Sequence, residues 1–431
     1  MFNFNFSQFK NFKVKDVGGQ FLFFFVLYLV LLVKSTGSYF SANHNLILSI
    51  YSILFGFYIL SRFLFSYLYS NKNYDRNYEP SVTFVVPAKN EEDNIAETIR
   101  RFRMADYPKE KMEVIAINDG STDGTLEQML LIKKECENYG LAVQVLDWQV
   151  NRGKRAGMAE GVKLAKNEII VFVDSDSFID EKCVRELVKY FVNPKLGAVS
   201  GHTDVYNKDQ NMLTRMQALR YFVAFKIYKS AESIFGTVTC CPGCCSAYRR
   251  EYILPIIDEW ENQTFLGVKC TFGDDRSLTN VVLREGYEAI YAEEAKAATV
   301  VPDTIKKYTK QQNRWKKSWV RETFLATKFM WKKNPLAALS FYIYIFLGFA
   351  SPFIFINAMI YFPFFRTHAL PLAYLGGLGL MLLLHGLYYK NHNKNSPWFL
   401  PVLAFWFYAV MLIWQLPWAL VTLTDTRWGT R

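Results

Sequence analysis

The sequence has neither a GxxxxGK(S/T) loop nor a GxGxxG run. A P-loop nucleotide site and a dinucleotide fingerprint are therefore excluded. Its seven cysteines make no even framework of disulfides, and most are clustered. Cys240-Cys241-Pro242-Gly243-Cys244-Cys245 holds one CxxC, but no second CxxC or His pair stands at finger spacing. Small buried thiols lining a path, kept reduced in the cytosol, are the better reading than zinc. No cleavable signal is evident, because the apolar run 21–33 lacks a small-residue cleavage site and a second apolar run follows it.

What is present is apolar surface and positive charge, kept apart. The 431 residues are 51% hydrophobic and 17% aromatic, with a formal charge of +11. That is enough for more than one domain. The basic residues sit beside apolar segments, which argues against a nucleic-acid partner. Residues 17–33 and 46–69 are long enough to span a membrane, the first near the minimum of about 17 residues. Lys10, Lys13 and Lys15 precede them, and Arg62, Lys72 and Arg76 accompany or follow the second, so both ends are expected in the cytoplasm. Residues 338–362 and 369–389 read as two more spans. Residues 398–423 carry Pro401 and Pro417. A cytoplasmic C-terminus requires that last stretch to enter and return, breaking at a proline.

Between the spans lies a soluble α/β pattern. Strands are expected at 82–86, 114–117, 143–147, 169–173 and 198–202, with helices at 94–104, 158–165, 211–232 and 278–285. Alternation of this length indicates a mostly parallel sheet. Ligands bind at the carboxyl ends of such strands. Asp174 and Asp176 stand at one such end, where two carboxylates suit Mg²⁺ or Mn²⁺; the bland alternative is a strand end capping the next helix. Asp119 ends another strand, in Asn118-Asp119-Gly120-Ser121, and otherwise belongs to a tight turn. Gly153-Lys154-Arg155 opens a helix and favours an anion. Asp274 and Asp275 precede a helix, as a cap or as a general base. Residues 303–333 interleave lysine and arginine with tryptophan, tyrosine and phenylalanine, a basic amphipathic segment for a membrane interface.

Taken in order, Asn118-Asp119-Gly120-Ser121, Gly153-Lys154-Arg155, Asp174-Ser175-Asp176, Asn262-Gln263-Thr264-Phe265-Leu266-Gly267, Gly273-Asp274-Asp275-Arg276, Gln311-Gln312-Asn313-Arg314-Trp315 and Trp428-Gly429-Thr430-Arg431 resemble the motifs of processive, membrane-integrated glycosyltransferases. Hyaluronan synthases are the nearest group and chitin-oligosaccharide synthases the next. The resemblance implies a GT-A fold, a Rossmann-like mixed α/β sheet binding a nucleotide sugar, inserted between transmembrane helices. It implies a membrane region at 1–75, a catalytic domain at 76–303, interface helices at 304–335 and a second membrane region at 336–431. The expected setting is the plasma membrane, multi-pass, with the catalytic domain cytoplasmic.

The expected partners are UDP-sugars (UDP-GlcNAc and UDP-GlcA), a nascent polysaccharide and membrane lipid, with no protein partner evident. By the same resemblance Asp275 is the base and Asp176 the cation ligand. Asp119 contacts uracil, Lys154 the diphosphate, and Asp174 the donor sugar. Pro87, Lys89 and Glu91 belong to the UDP-sugar site. Gln311, Arg314 and Trp315 border the acceptor and diphosphate, while Trp428 and Arg431 close over the nucleotide. Cys244, Tyr248, Arg249 and Trp315 would line the acceptor path. The chain departs from the hyaluronan synthases at Pro242-Gly243-Cys244-Cys245, where they usually carry Ser-Gly-Pro. Its cysteines lean towards the chitin-oligosaccharide group.

Overall fold

The computed structural model describes residues 46–70, 74–367, 372–397 and 399–426. Two compact units divide the chain. One takes Met1–Tyr69 and Tyr342–Ile413, and the other takes Ser70–Phe341 and Trp414–Arg431. The expected span at 17–33 lies outside the described residues.

Helix α1 (Leu46–Leu68) is apolar along most of its length. The second unit then runs β1 (Val82–Ala88), α2 (Ile95–Met104), β2 (Met112–Asp119), α3 (Thr125–Glu137), β3 (Ala142–Trp148), α4 (Lys154–Leu164), β4 (Ile169–Phe172), β5 (Ser177–Ile179), α5 (Cys183–Val188) and β6 (Leu196–Val205). After α6 (Met212–Val223) come β7 (Ser246–Arg249), α7 (Asp274–Arg284), β8 (Glu288–Thr299) and α8 (Ile305–Thr327). The chain ends in α9 (Pro335–Ile356), α10 (Leu372–His392) and α11 (Leu400–Val421).

Eight strands form one sheet in the order β3-β2-β1-β4-β7-β6-β8-β5. The first four are parallel. Strand β7 runs antiparallel to both β4 and β6, so the sheet is mixed. Every residue of β1 is buried because helices cover both faces. Successive side chains point to opposite faces: Phe84 stacks on Phe102 of α2 with ring centroids 4.2 Å apart, while Val85 packs against Gly161 of α4. Fully burying each such side chain stabilises the fold by about 1.5–3 kcal/mol.

Three helices differ from expectation. Helix α7 begins at Asp274 rather than residue 278, so both aspartates lie in its first turn. The cause is Gly273, whose left-handed φ of 81° turns the chain directly into the helix. The helix expected at 211–232 leaves α geometry at Ala224–Lys229, a π-helical stretch, and resumes at Ser230–Ser233. The third concerns residues 398–423: the expected return loop does not form, and α11 runs unbroken over 22 residues. Pro401 lies in its first turn, where an amide proton has no helical partner to lose. Pro417 removes a single hydrogen bond, which an otherwise apolar helix tolerates. The crossing count behind the expected loop included residues 17–33, outside the described residues.

In the helical unit, Tyr51 Oη of α1 donates to the Leu347 carbonyl of α9 at 3.3 Å. Phe63 packs edge-on against His385 of α10 at 5.0 Å. Among the described residues two helices, Leu46–Leu68 and Pro335–Arg366, are long and apolar enough to cross a membrane.

Candidate active site

Strand β4 delivers the chain to Val173-Asp174-Ser175-Asp176, a turn at the carboxyl end of the parallel strands. The turn is pinned from α2, where the Thr98 hydroxyl donates to the Ser175 carbonyl at 2.9 Å. Asp174 and Asp176 flank that anchor and stay half-buried. Because β7 is antiparallel, Ser246 pairs with Phe172 and the residues before β7 arrive beside the acidic turn. A Cβ placed on Gly243 would lie 2.8 Å from Asp174 Oδ1, 3.0 Å from Lys154 Nζ and 3.1 Å from Asp275 Oδ1. A side chain here would crowd all three charged groups, and glycine lets the loop pass between them. Cys244 Sγ sits 3.7 Å from Asp174 Oδ2.

Two helix N-termini supply the other groups. Lys154 opens α4 and hydrogen-bonds Asp174. Its neighbour Arg155 donates to Asp274 at 2.7 Å, with its guanidinium 4.8 Å from the Trp260 ring centroid. Arg155 also donates to the Trp260 carbonyl and to Gln263 Oε1 at 3.2 Å each. Asp274 is thus consumed by the fold, whereas Asp275 faces the cleft. Burial pushes the Asp275 carboxyl above its usual range; Lys154 and the Gly243 amide pull against that, and Asp174 adds to it. Burial alone would lower the Lys154 ammonium, but Asp174 and Asp275 more than offset it, so its pKa is raised. A carboxyl lifted by burial beside a fixed cation has the character of a general base.

Asp119 closes β2 under the same cleft. It accepts from the backbone amides of Arg152 at 2.6 Å and Gly153 at 3.0 Å, tying it to the loop that opens α4. Burial raises its pKa despite those two bonds. Lys89 is among the charges Asp119 feels. Pro87 is buried in β1 and abuts Gly157 of α4. Glu91 is buried; its amide donates to Thr125 Oγ1 at 2.7 Å and its carboxylate accepts from Asn94 at 3.1 Å.

Helix α8 passes the start of α7. A Cβ on Gly273 would lie 1.8 Å from Ser318 Oγ, and Arg321 donates to the Phe272 carbonyl. One to two turns earlier on α8 come Gln311, Arg314 and the exposed Trp315, whose ring centroid is 5.9 Å from the Arg220 guanidinium. Gln311 Oε1 accepts from Gln312 at 3.3 Å. Trp428 and Arg431 lie outside the described residues. Just before them, Asp425 pairs with Lys317 at 3.4 Å, and the Thr426 carbonyl accepts from the Thr271 hydroxyl at 2.5 Å.

The structure therefore gathers Lys154, Asp174, Asp275 and Cys244 around Gly243. Two expected acceptor residues fall elsewhere, because β7 carries them back along β4. Tyr248 is buried beneath the cleft, edge-on to Phe172 and 3.2 Å from Thr279 Oγ1. Arg249 pairs with Ile169 at the far end of β4 and donates to the Phe191 carbonyl. An acceptor-lining role for Arg249 is thus corrected to a structural one. Sequence reasoning missed Gly243 as the point of convergence. Its signal was a glycine inside the cysteine cluster one strand away from Asp174.

The donor chemistry fits a hard divalent cation. Asp176 has the hydroxyls of Ser177 and Thr299 at 3.5 Å each, oxygen groups of the kind such a cation takes. No group of three or more His, Cys, Asp or Glu able to hold a metal forms among the described residues. The protein would supply one or two carboxylates and leave the remaining positions to phosphate and water, as Mg²⁺ sites commonly do.

Comparison with known proteins agrees with this geometry. In fold the chain is similar to a mannosyltransferase from Pyrobaculum calidifontis solved with GDP-Man and Mn²⁺, which superposes with a TM-score of 0.58 at 20% identity over 88% of this chain and 99% of that one. It defines a GT-A architecture. A family model, glycosyl transferase family 2, matches residues 83–255. Hyaluronan synthase from Streptococcus pyogenes is 31% identical over 390 residues, 89% of this chain and 90% of that protein. An N-acetylglucosaminyltransferase from Azorhizobium caulinodans is 35% identical over 263 residues, 61% of this chain and 65% of that protein. The chain belongs to glycosyltransferase family 2 and is a hyaluronan-synthase-like glycosyltransferase.

Proposed function

We propose that this enzyme is a processive, inverting synthase that joins UDP-GlcNAc and UDP-GlcA into a hyaluronan-like polysaccharide and passes it outward through the membrane. The observation that carries the reading is the convergence of Lys154, Asp174 and Asp275 on Gly243, beside the helix bearing Trp315. The similarity to a hyaluronan synthase along nine-tenths of its length supports the choice of polymer. The catalytic unit would face the cytoplasm of the plasma membrane. Attachment of Asp425 and Thr426 to Lys317 and Thr271 supports a C-terminus on that same side.

Asp275 takes the proton from the acceptor hydroxyl, whose oxygen attacks the anomeric carbon of the donor. The bond to UDP breaks with its electron pair leaving on the diphosphate, and the configuration inverts. Lys154 and Arg314 stabilise that developing charge, with Trp428 and Arg431 closing over the nucleotide. Asp119 holds the base, beside Pro87, Lys89 and Glu91. Gln311 and Trp315 border the acceptor sugar, and Cys244 lies beside it. Asp176, with Asp174 near it, would hold Mg²⁺ or Mn²⁺, which when bound supplies Lewis-acid stabilisation of the diphosphate.

The test is a radiolabelled nucleotide-sugar panel on purified protein, with the product digested by specific glycosidases. A polymer that forms only with both donors and is cut by hyaluronidase is expected. A chitinase-sensitive product from UDP-GlcNAc alone would establish the second reading, a chitin-type synthase. That reading is favoured by Cys244 lying against Asp174 and by the similarity to an N-acetylglucosaminyltransferase.

A further inference from the structure

The side chains of Arg152 and Trp148 have no part in this scheme. Trp148 ends β3 and Asp119 ends β2, and the two are partners in the parallel register. Partners across such a ladder face the same side of the sheet. Trp148 is buried, and the Arg152 guanidinium lies 4.7 Å from its ring centroid. The backbone amide of Arg152 donates to Asp119 at 2.6 Å. Asp119 and the Arg152 side chain are therefore joined twice, once through the backbone and once through Trp148.

The loop carrying Arg152 is held in place although the residue is exposed. A Cβ on Gly120 would lie 2.6 Å from the Asn151 amide nitrogen, so this loop rests directly on the turn after β2. At Gly153 the chain turns into α4. Past that turn Lys154 reaches Asp174, whereas Arg152 lies back over the end of β3. Position along the sheet then separates the two cations. The strand order β3-β2-β1-β4 puts Trp148 three strand spacings from the acidic turn after β4, about 14 Å. Lys154 and Asp174 stand at the diphosphate end. Arg152 stands at the opposite end, past Asp119.

We infer that Arg152 is a specificity-determining residue for the nucleotide: its guanidinium, resting on Trp148, donates to a carbonyl oxygen of the base whose ring N–H is taken by Asp119. This rests on the reading of Asp119 as the residue that holds the base. In uracil the ring N–H stands between two carbonyls, so a donor beside the carboxylate meets an acceptor whichever way the ring is turned. Adenine has no carbonyl to offer. An arginine suits the task because its planar fork is fixed by the indole beneath it while its N–H groups point outward.

The test uses full-length protein in lipid nanodiscs with Mg²⁺, titrated separately with UDP, ADP and inorganic pyrophosphate. The wild type should bind UDP more tightly than ADP. Arg152→Met should weaken UDP about tenfold or more, the loss expected for one charge-assisted hydrogen bond. It should leave ADP and pyrophosphate unchanged. Its thermal unfolding without ligand should match the wild type, because the side chain is exposed. Unchanged UDP affinity in Arg152→Met overturns the inference. Equal weakening of UDP and ADP, or of UDP and pyrophosphate, overturns it as well, since the cation would then serve the ribose or the phosphates. If Asp119→Asn leaves UDP affinity unchanged while Arg152→Met weakens UDP alone, the reading of Asp119 falls and the Arg152 contact stands.

Discussion

Asp274 and Asp275 are adjacent, yet they live in different regions of the molecule. Asp274 turns inward to Arg155, both side chains being 3–4% exposed, in a pocket floored by Trp260 and Gln263. Asp275 turns into the cleft, towards Lys154 and the Gly243 loop. The partners are adjacent too, since Lys154 and Arg155 open α4 side by side. One helix start thus offers the other a structural pair and a chemical pair. Successive residues in a helix point about 100° apart, which separates the two jobs. A buried pair is closed off from the cleft, so it can only hold. A cleft pair shares its charges among several groups, so it can exchange a proton.

The largest expected effect comes from breaking the chemical pair. Asp275→Asn should lower kcat by about 10²–10⁴-fold, the contribution of a positioned base, while UDP binding stays nearly intact. Its unfolding temperature should not fall. Burial raises the Asp275 pKa, so the neutral form is the more stable one in the fold, and that stability is lost as pH rises through the raised value. Asparagine mimics the neutral form. Retained turnover in this variant would remove the assignment.

Breaking the structural pair should do the opposite. Asp274→Asn leaves the Arg155 guanidinium buried without its counter-charge, at a cost of about 3 kcal/mol. Denaturant unfolding should show that loss, and the folded fraction should keep its turnover. Full stability together with lost turnover would mean the two aspartates have been assigned the wrong way round. The smallest effect sharpens the comparison. In the pH profile of kcat/KM, the acid limb should lie above the usual carboxylate value of about 4, with the rate rising as pH increases. Asp274→Asn should leave that limb in place. A limb at or below the ordinary value would show that Lys154 outweighs burial at Asp275.

Much of the fold was legible in the chain. β1 to β4 came within a few residues of expectation because buried parallel strands are continuous apolar runs, ended by polar turns. Asp119, Asp174 and Asp176 were readable because they end such runs. The start of α7 was misplaced because hydrophobic period sees only the packed face, while Gly273 sets the first turn by its backbone angle. Arg249 was misplaced because a Tyr-Arg pair looks the same whichever way its strand runs.

By itself the sequence determined the apolar helices, the strand ends and the residue types able to hold a cation, a phosphate and a proton. Those are properties of neighbours along the chain. Tertiary structure alone decided which carboxylate is consumed by Arg155 and which is left to the cleft, and that Gly243 passes among Lys154, Asp174 and Asp275. The physical reason is the antiparallel entry of β7 beside β4. It brings a loop from more than sixty positions downstream to Asp174, a closeness that no spacing in the sequence records.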